Sequence, residues 1–157
     1  MSPGPEPVTV PGGRTLKSLV GTEFPPGHFR IEPDAHSAAV AALHLDRWDS
    51  PVAHPVYGHI ALNSGMGIAR EDFFALCGST LRTGALFGRG VITWHQPMLI
   101  GSRYTVHSRI VAAERKTGRR SGTFDLVTVH IDADDEDAEA TVSMDETYVF
   151  LRSAAGG

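Results

Sequence analysis

The chain has 157 residues, of which 41% are hydrophobic and 20% are charged, and its formal net charge is −4. This length supports one hydrophobic core and is too short for two domains of ordinary size. The charge balance has no basic excess, which argues against a nucleic-acid-binding surface. The sequence contains a single cysteine, Cys77, so a disulfide within the chain is excluded. Neither a signal peptide nor a membrane-spanning segment is predicted, and a cytoplasmic protein is expected.

Both ends of the chain have the composition of flexible tails. Residues 1–13 contain four prolines and three glycines but few apolar residues. Such a segment buries too little apolar surface to pack, and residues 153–157 are predicted to be a second short tail. Residues 14–152 are therefore predicted to form one domain.

The first half of this domain predicts a short strand followed by two helices. Residues 28–31 favour the strand, and an Ala-rich helix is predicted to begin at Pro33. After a proline-containing loop, the apolar pattern predicts a long helix over residues 57–76. The Gly-Met-Gly-Ile sequence at 65–68 is a weak point, because a glycine costs about 1 kcal/mol in a helix interior. These glycines could instead allow a strand or a ligand to approach closely.

The second half of the domain is rich in β-branched and aromatic residues, which predicts four long strands separated by turns. The predicted strands span residues 91–95, 103–113, 122–133 and 138–151. A glycine-rich bend is predicted before them, at residues 84–90. One long helix followed by long antiparallel strands is an α+β arrangement in which the sheet wraps around the helix.

Residues 91–102, Val-Ile-Thr-Trp-His-Gln-Pro-Met-Leu-Ile-Gly-Ser, resemble the MaoC-like dehydratase group of hot-dog-fold proteins. That group commonly has a His-x-Pro step at the end of a strand, a short apolar turn and then Gly-Asp. Here Gly101-Ser102 stands where Gly-Asp is usual. Residues 53–57, Ala-His-Pro-Val-Tyr, resemble the step that precedes the central helix in the amino-terminal, non-hydratase halves of these proteins. The resemblance covers roughly residues 16–152.

The resemblance implies a hot-dog fold, in which a long central helix is wrapped by an antiparallel β-sheet. It also implies a homodimer with active sites between the two central helices. The expected partner is an acyl thioester on coenzyme A or an acyl carrier protein, whose pantetheine arm enters along the dimer interface, and no cofactor is expected. The residues expected to contact this substrate are Tyr57, Gly65, Gly67 and Gly88.

One candidate catalytic pair lies in the loop before the long helix. An (R)-specific hydratase of the group uses an Asp-x-Asn-Pro-x-His motif, in which the two side chains activate water and remove an α proton. Residues 49–54, Asp-Ser-Pro-Val-Ala-His, keep the interval between the aspartate and the histidine but lack the Asn-Pro pair. Asp49 and His54 are therefore an alternative dyad, and a loop aspartate with a structural histidine is the other interpretation.

A second candidate pair lies on the long helix itself. His59 and Asn63 are four residues apart and therefore share one face of the predicted helix, which Gly67 continues. Imidazole can act as a base near neutral pH, and the amide could orient the attacking water or bind the thioester carbonyl. Alternatively, His59 begins the helix with a bond to a loop carbonyl, and Asn63 caps the same loop.

Three functions follow from these alternatives. The first is a MaoC dehydratase-like thioesterase that uses His59 and Asn63, and the second is an (R)-specific 3-hydroxyacyl hydratase or dehydratase that uses Asp49 and His54. The third is a non-catalytic acyl-binding subunit of a dehydratase. The incomplete hydratase motif favours hydrolysis, and the Ala-, Gly- and Arg-rich composition is compatible with actinobacterial secondary metabolism. No histidine or cysteine spacing is typical of zinc ligands, so no metal is predicted.

Overall fold

A computed structural model of the protein describes residues 8–45, 47–137 and 139–152. Residues 1–7 and 153–157, which belong to the two predicted tails, lie outside the described residues. Residues 8–13 lie against the domain, where Val10 is only 3% exposed and joins the core. The packed part of the described chain therefore begins before residue 14.

The first half of the domain contains one short strand and three α-helices. The strand β1 spans Gly27–Arg30, and α1 spans Pro33–Ala42. Proline at the start of α1 is favourable because the first turn of a helix needs no N–H donor from that residue. Two further helices follow, α2 over Val56–Ser64 and α3 over Arg70–Leu76.

The helix predicted over residues 57–76 is thus interrupted between α2 and α3. Gly65 forms the C-cap of α2, and Gly67 has a φ of +76°, which a right-handed helix cannot accommodate. The interruption falls on the glycine-containing weak point of the sequence. It lets the chain turn, so that α3 starts with Arg70 close to the end of α2.

Four further strands lie in the described part of the chain: β2 over Ala85–Trp94, β3 over Arg103–Gly118, β4 over Gly122–Asp134 and β5 over Ala140–Arg152. With β1 they form one antiparallel sheet in the order β1-β3-β4-β5-β2. Strand β2 starts earlier than predicted and has a bulge between Phe87 and Arg89, so most of the segment expected to be a bend belongs to a strand.

One face of the sheet packs against α2 and carries the core. Along β4, alternate residues from Asp125 to Ala133 are buried, as the period of a strand requires. Strand β2 differs, because it lies at the edge of the sheet and nine of its ten residues are exposed. None of the helices in the described part of the chain is long and apolar enough to cross a membrane.

Candidate functional site

Helix α2 carries His59 and Asn63 one turn apart, His59 exposed and Asn63 half-buried. The helix buries Tyr57, Gly58, Ala61 and Leu62 against the sheet, and His59 is exposed. The Asn63 side-chain nitrogen Nδ2 donates to the backbone oxygen of His59 at 3.1 Å. It lies 3.4 Å from both ring nitrogens, so it is aimed at neither of them. The structure therefore brings the two residues together, and among the described residues the His59 ring nitrogens make no polar contact shorter than 3.4 Å.

Asn63 also belongs to a group of four linked side chains, the polar cluster, formed by Asn63, Arg70, Glu146 and Tyr148. Glu146 Oε1 accepts a hydrogen bond from Asn63 Nδ2 at 3.2 Å, and Oε2 accepts one from the Tyr148 hydroxyl. Arg70 donates to Asn63 Oδ1 at 2.6 Å and to the Tyr148 oxygen. The four side chains thus form a closed ring of hydrogen bonds.

Two members of this ring are buried, so their polar atoms need hydrogen-bond partners within the protein. Glu146 is 1% exposed and Tyr148 is 2% exposed, and a buried carboxylate is costly unless its oxygens are bonded. Burial is the main cause that raises the pKa of Tyr148 well above its ordinary value. The hydrogen bond to Glu146 and then the charge of Glu146 raise it further. Tyr148 is therefore a neutral hydrogen-bond donor in any physiological buffer.

Three elements supply the polar cluster: α2 contributes Asn63, α3 contributes Arg70, and β5 contributes the other two residues. Glu146 and Tyr148 occupy alternate inward positions on β5, between the buried residues Met144 and Phe150. Arg70, Glu146 and Tyr148 were not predicted from the sequence as site residues. A glutamate at a position whose alternation predicts burial is the signal that could have identified the cluster.

The structure does not bring Asp49 and His54 together. Asp49 pairs with Arg47, with 2.5 Å between Oδ2 and Nε, and its side chain is 65% exposed. His54 Nδ1 accepts the backbone N–H of Val56 at 3.1 Å, and the backbone N–H of His54 donates to His36 Nε2 at 3.0 Å. His54 therefore helps to start α2, and Asp49 points towards solvent.

Tyr57 lies inside the domain. It is 5% exposed, and its ring stacks on His36 with 5.3 Å between centroids. Burial raises the pKa of Tyr57, whereas burial and then the charge of His54 lower the pKa of His36. These contacts place Tyr57 in an aromatic group beneath the start of α2.

The three glycines expected at the substrate site contact the protein's own chain. A Cβ on Gly65 would lie 2.4 Å from the Val106 side chain, and one on Gly67 would lie 1.7 Å from the Pro25 carbonyl oxygen. A Cβ on Gly88, at the β2 bulge, would lie 2.9 Å from the Val149 side chain. Gly65 therefore lies against the strand β3, and Gly67 lies against the loop that precedes β1.

An apolar surface continues from α2 along β2. The indole of Trp94 covers Gly58, where a Cβ would lie 2.5 Å from the ring. Phe87, Ile92 and Trp94, which we term the apolar strip, share the inner face of β2 and are exposed. Beside Trp94 is a mainly apolar cavity of about 260 Å³, lined by Val52, Ala53, Pro55, Trp94, Gln96, Pro97 and Met98.

The residues that the structure describes support neither a metal site nor a cysteine nucleophile. No three histidine, cysteine, aspartate or glutamate side chains within residues 8–45, 47–137 and 139–152 are grouped as a metal site would require. Burial raises the pKa of the Cys77 thiol to about 12. The charge of Arg152 lowers this pKa and the charge of Asp125 raises it, both less than burial does. Cys77 is therefore a protonated core residue at neutral pH and is unsuited to nucleophilic attack.

No family model matches the sequence, and no curated protein is significantly similar to it. Solved structures resemble its fold. A chain of the ChsH1-ChsH2 complex from Mycobacterium tuberculosis has a TM-score of 0.68 at 15% identity, covering 90% of this chain and 91% of that chain. A chain of the HadBC (3R-hydroxyacyl-ACP dehydratase) complex from the same organism has a TM-score of 0.62 at 16% identity, covering 83% and 96%.

A thioesterase from Thermus thermophilus, solved with coenzyme A and zinc, has a TM-score of 0.53 at 12% identity. That match covers 82% of this chain and 79% of the thioesterase. Similarity at such low identity establishes the fold, and the prediction made from residues 91–102 and 53–57 is confirmed at that level. The chain therefore has the α+β hot-dog fold, which it shares with a solved MaoC-like dehydratase at 17% identity and a TM-score of 0.62, over 88% of this chain and 44% of that chain.

Proposed function

We propose that the protein hydrolyses an acyl thioester carried on coenzyme A or an acyl carrier protein, with His59 as the general base. One observation carries this proposal. The His59 imidazole is exposed at a fixed point on α2, and within the described chain the contacts of its ring nitrogens are the 3.4 Å approaches of Asn63. A base of this kind needs an accessible nitrogen and a scaffold that does not move.

In the proposed reaction, His59 removes a proton from a water molecule as the water oxygen attacks the thioester carbonyl carbon. The carbon–sulfur bond then breaks, and the departing thiolate takes the proton from the imidazolium. Asn63 uses one Nδ2 hydrogen for Glu146 and the other for the His59 carbonyl. Its proposed part is therefore to hold this face of α2, rather than to donate to the thioester carbonyl.

The second candidate is a non-catalytic subunit that binds the acyl chain. It is favoured because the hydratase-like pair is not assembled. Asp49 bonds to Arg47, and His54 bonds to the backbone of Val56. Two of the similar chains come from complexes of two different proteins, ChsH1-ChsH2 and HadBC. The same geometry makes the hydratase interpretation the weakest of the three, since dehydration needs an acid and a base on either side of two carbons.

A panel of pantetheine thioesters distinguishes these functions. We expect the protein to release free thiol from saturated and 3-hydroxyacyl thioesters, measured with a thiol reagent. Loss of enoyl absorbance without thiol release would show a hydratase instead. Binding of the thioester without either change would support the acyl-binding subunit.

We further propose that the protein is a homodimer joined along β2. This strand has no partner on its outer side among the described strands, and its exposed residues include Leu86, Phe87, Val91, Ile92 and Trp94. An apolar strand edge of this kind pairs readily with another edge. A second copy of β2 would continue the sheet and cover the apolar strip.

Light scattering at micromolar concentration should therefore give twice the 16.8 kDa mass of one chain. Ile92→Lys, which places a charge within the apolar strip on the β2 edge, should shift the protein towards the monomer. Leu43→Lys is the matched control, because Leu43 is also exposed but follows α1. A wild-type monomer, or equal effects of the two substitutions, would contradict the proposed interface.

A further inference from the structure

We propose that Glu146 is a positioning residue of the hydrolase site, which fixes Asn63 and through it the part of α2 that carries His59. This inference rests on the proposed hydrolase function and deepens it. It assigns a role to a residue on β5 that lies 83 positions from Asn63 in the sequence.

The first argument is that the ring of hydrogen bonds allows only one orientation of the Asn63 amide. Glu146 accepts a hydrogen bond from Asn63 Nδ2, so the NH₂ group of Asn63 must face β5. Arg70 donates a hydrogen bond to Asn63 Oδ1, so the amide oxygen must face the start of α3. A flipped amide would set donor against donor and acceptor against acceptor. The remaining Nδ2 hydrogen therefore points to the His59 carbonyl.

The second argument is that stability alone gives little reason for a carboxylate at this position. A buried ionic group is often no more stabilising than well-packed apolar side chains of similar volume. Glu146 also has no direct ion pair among the described residues, because its two oxygens bond to Asn63 and Tyr148. Arg70 reaches it only through these two neutral side chains. The carboxylate is thus placed to align an amide beside His59.

The third argument comes from comparison with the other fully buried carboxylate, Asp125. Asp125 is 0% exposed and bonds to Arg115 and Arg152, on β3 and β5. Arg152 continues to the backbone oxygens of Cys77 and Gly78 after α3. These bonds join structural elements and include neither His59 nor Asn63. Asp125 therefore provides a matched control for the loss of a buried charge.

The test compares Glu146→Gln with Asp125→Asn in thiol-release assays, at a temperature where circular dichroism shows both variants folded. The new amide of Glu146→Gln is neutral and has one acceptor oxygen, so the bond from Asn63 loses its charge assistance and Asn63 competes with the Tyr148 hydroxyl for that oxygen. We expect its kcat to fall by about 10- to 100-fold, because His59 loses its alignment. KM should change less than kcat, since Glu146 is buried and would not touch a bound substrate, and Asp125→Asn should keep the wild-type kcat.

Two further variants make the test stricter. Tyr148→Phe removes only the hydroxyl that bonds to Glu146, and it should lower kcat by about tenfold; it decides the question if Glu146→Gln does not fold. The second is Glu146→Gln placed in an Asn63→Ala background. There it should lower kcat much less than Glu146→Gln does alone, because Glu146 acts through Asn63, and an undiminished loss would contradict that route.

The outcomes separate this inference from the proposed function. If the wild type releases thiol and His59→Ala does not, but Glu146→Gln keeps kcat within twofold, the role of Glu146 is wrong and the hydrolase assignment stands. Equal losses in Glu146→Gln and Asp125→Asn would also overturn it. A wild-type protein that releases no thiol would instead reject the hydrolase function, and the inference with it.

Discussion

Replacing His59 with alanine should lower kcat for thioester hydrolysis by roughly 10²- to 10⁴-fold, the range typical for loss of a general base. The substitution removes the imidazole that accepts the proton of water in the proposed reaction. It should leave the fold intact, because His59 is exposed and its loss creates no cavity in the core. Steady-state thiol release gives the rate, and thermal unfolding followed by circular dichroism gives the stability.

Asp49→Asn is the matched comparison for this prediction. The Asp49 side chain is 65% exposed and bonds to Arg47, so its loss should leave the hydrolysis rate nearly unchanged. A hydratase would reverse this order, with Asp49 and His54 essential and His59 dispensable. The hydrolase assignment is wrong if folded His59→Ala keeps full activity while Asp49→Asn is inactive.

The local features of the fold were predictable because they depend on neighbouring residues. Pro33 marked the start of α1, and the alternation of β-branched residues located β3, β4 and β5. The early start of β2 was not predicted, because Gly88 and Gly90 suggest a bend. An edge strand tolerates glycines and a bulge, since one side of its backbone pairs with no neighbour.

The candidate site was predictable only where its residues share one element. His59 and Asn63 were paired by helical spacing, and the structure places them in contact. Alternation along β5 could indicate that Glu146 faces inward, but it says nothing about which residue lies opposite. Contact between Glu146 and Asn63 depends on the packing of α2 across the sheet. Such long-range pairing cannot be read from local periodicity.

The sequence predicts where the helix is interrupted after α2, but it does not predict the direction of the chain beyond the interruption. Gly65 and Gly67 weaken a helix in any context, so the position of the break was predictable. The direction of the chain after the break was not predictable, because it depends on the contact of Gly67 with the Pro25 carbonyl. That direction brings Arg70 back to Asn63 and completes the polar cluster.

A second buried ionic group lies further along β4 and β5, around Asp125. Its carboxylate bonds to Arg115 at 2.7 and 3.0 Å and to Arg152 at 2.7 Å. Arg115 also donates to the Thr9 carbonyl oxygen, which ties the first described residues to β3. Burial raises the pKa of Asp125, but the hydrogen bonds and charges of Arg115 and Arg152 outweigh burial and hold that pKa below its ordinary value. Asp125 is therefore ionised in the folded protein under ordinary conditions.

Asp125→Ala should lower the free energy of unfolding by about 3–5 kcal/mol, because it leaves Arg115 and Arg152 without their buried counter-charge. Urea unfolding at pH 7 measures this loss, and Asp49→Ala, which removes an exposed carboxylate, should cost less than about 1 kcal/mol. The pKa of Asp125 is lower in the folded state than in the unfolded chain, so its contribution to stability is present above the unfolded pKa. That contribution is lost as the pH falls through the folded pKa. As the pH falls below the ordinary aspartate pKa of about 3.9, the wild type should therefore lose more stability than Asp125→Ala, and parallel stability curves for the two proteins would contradict this role.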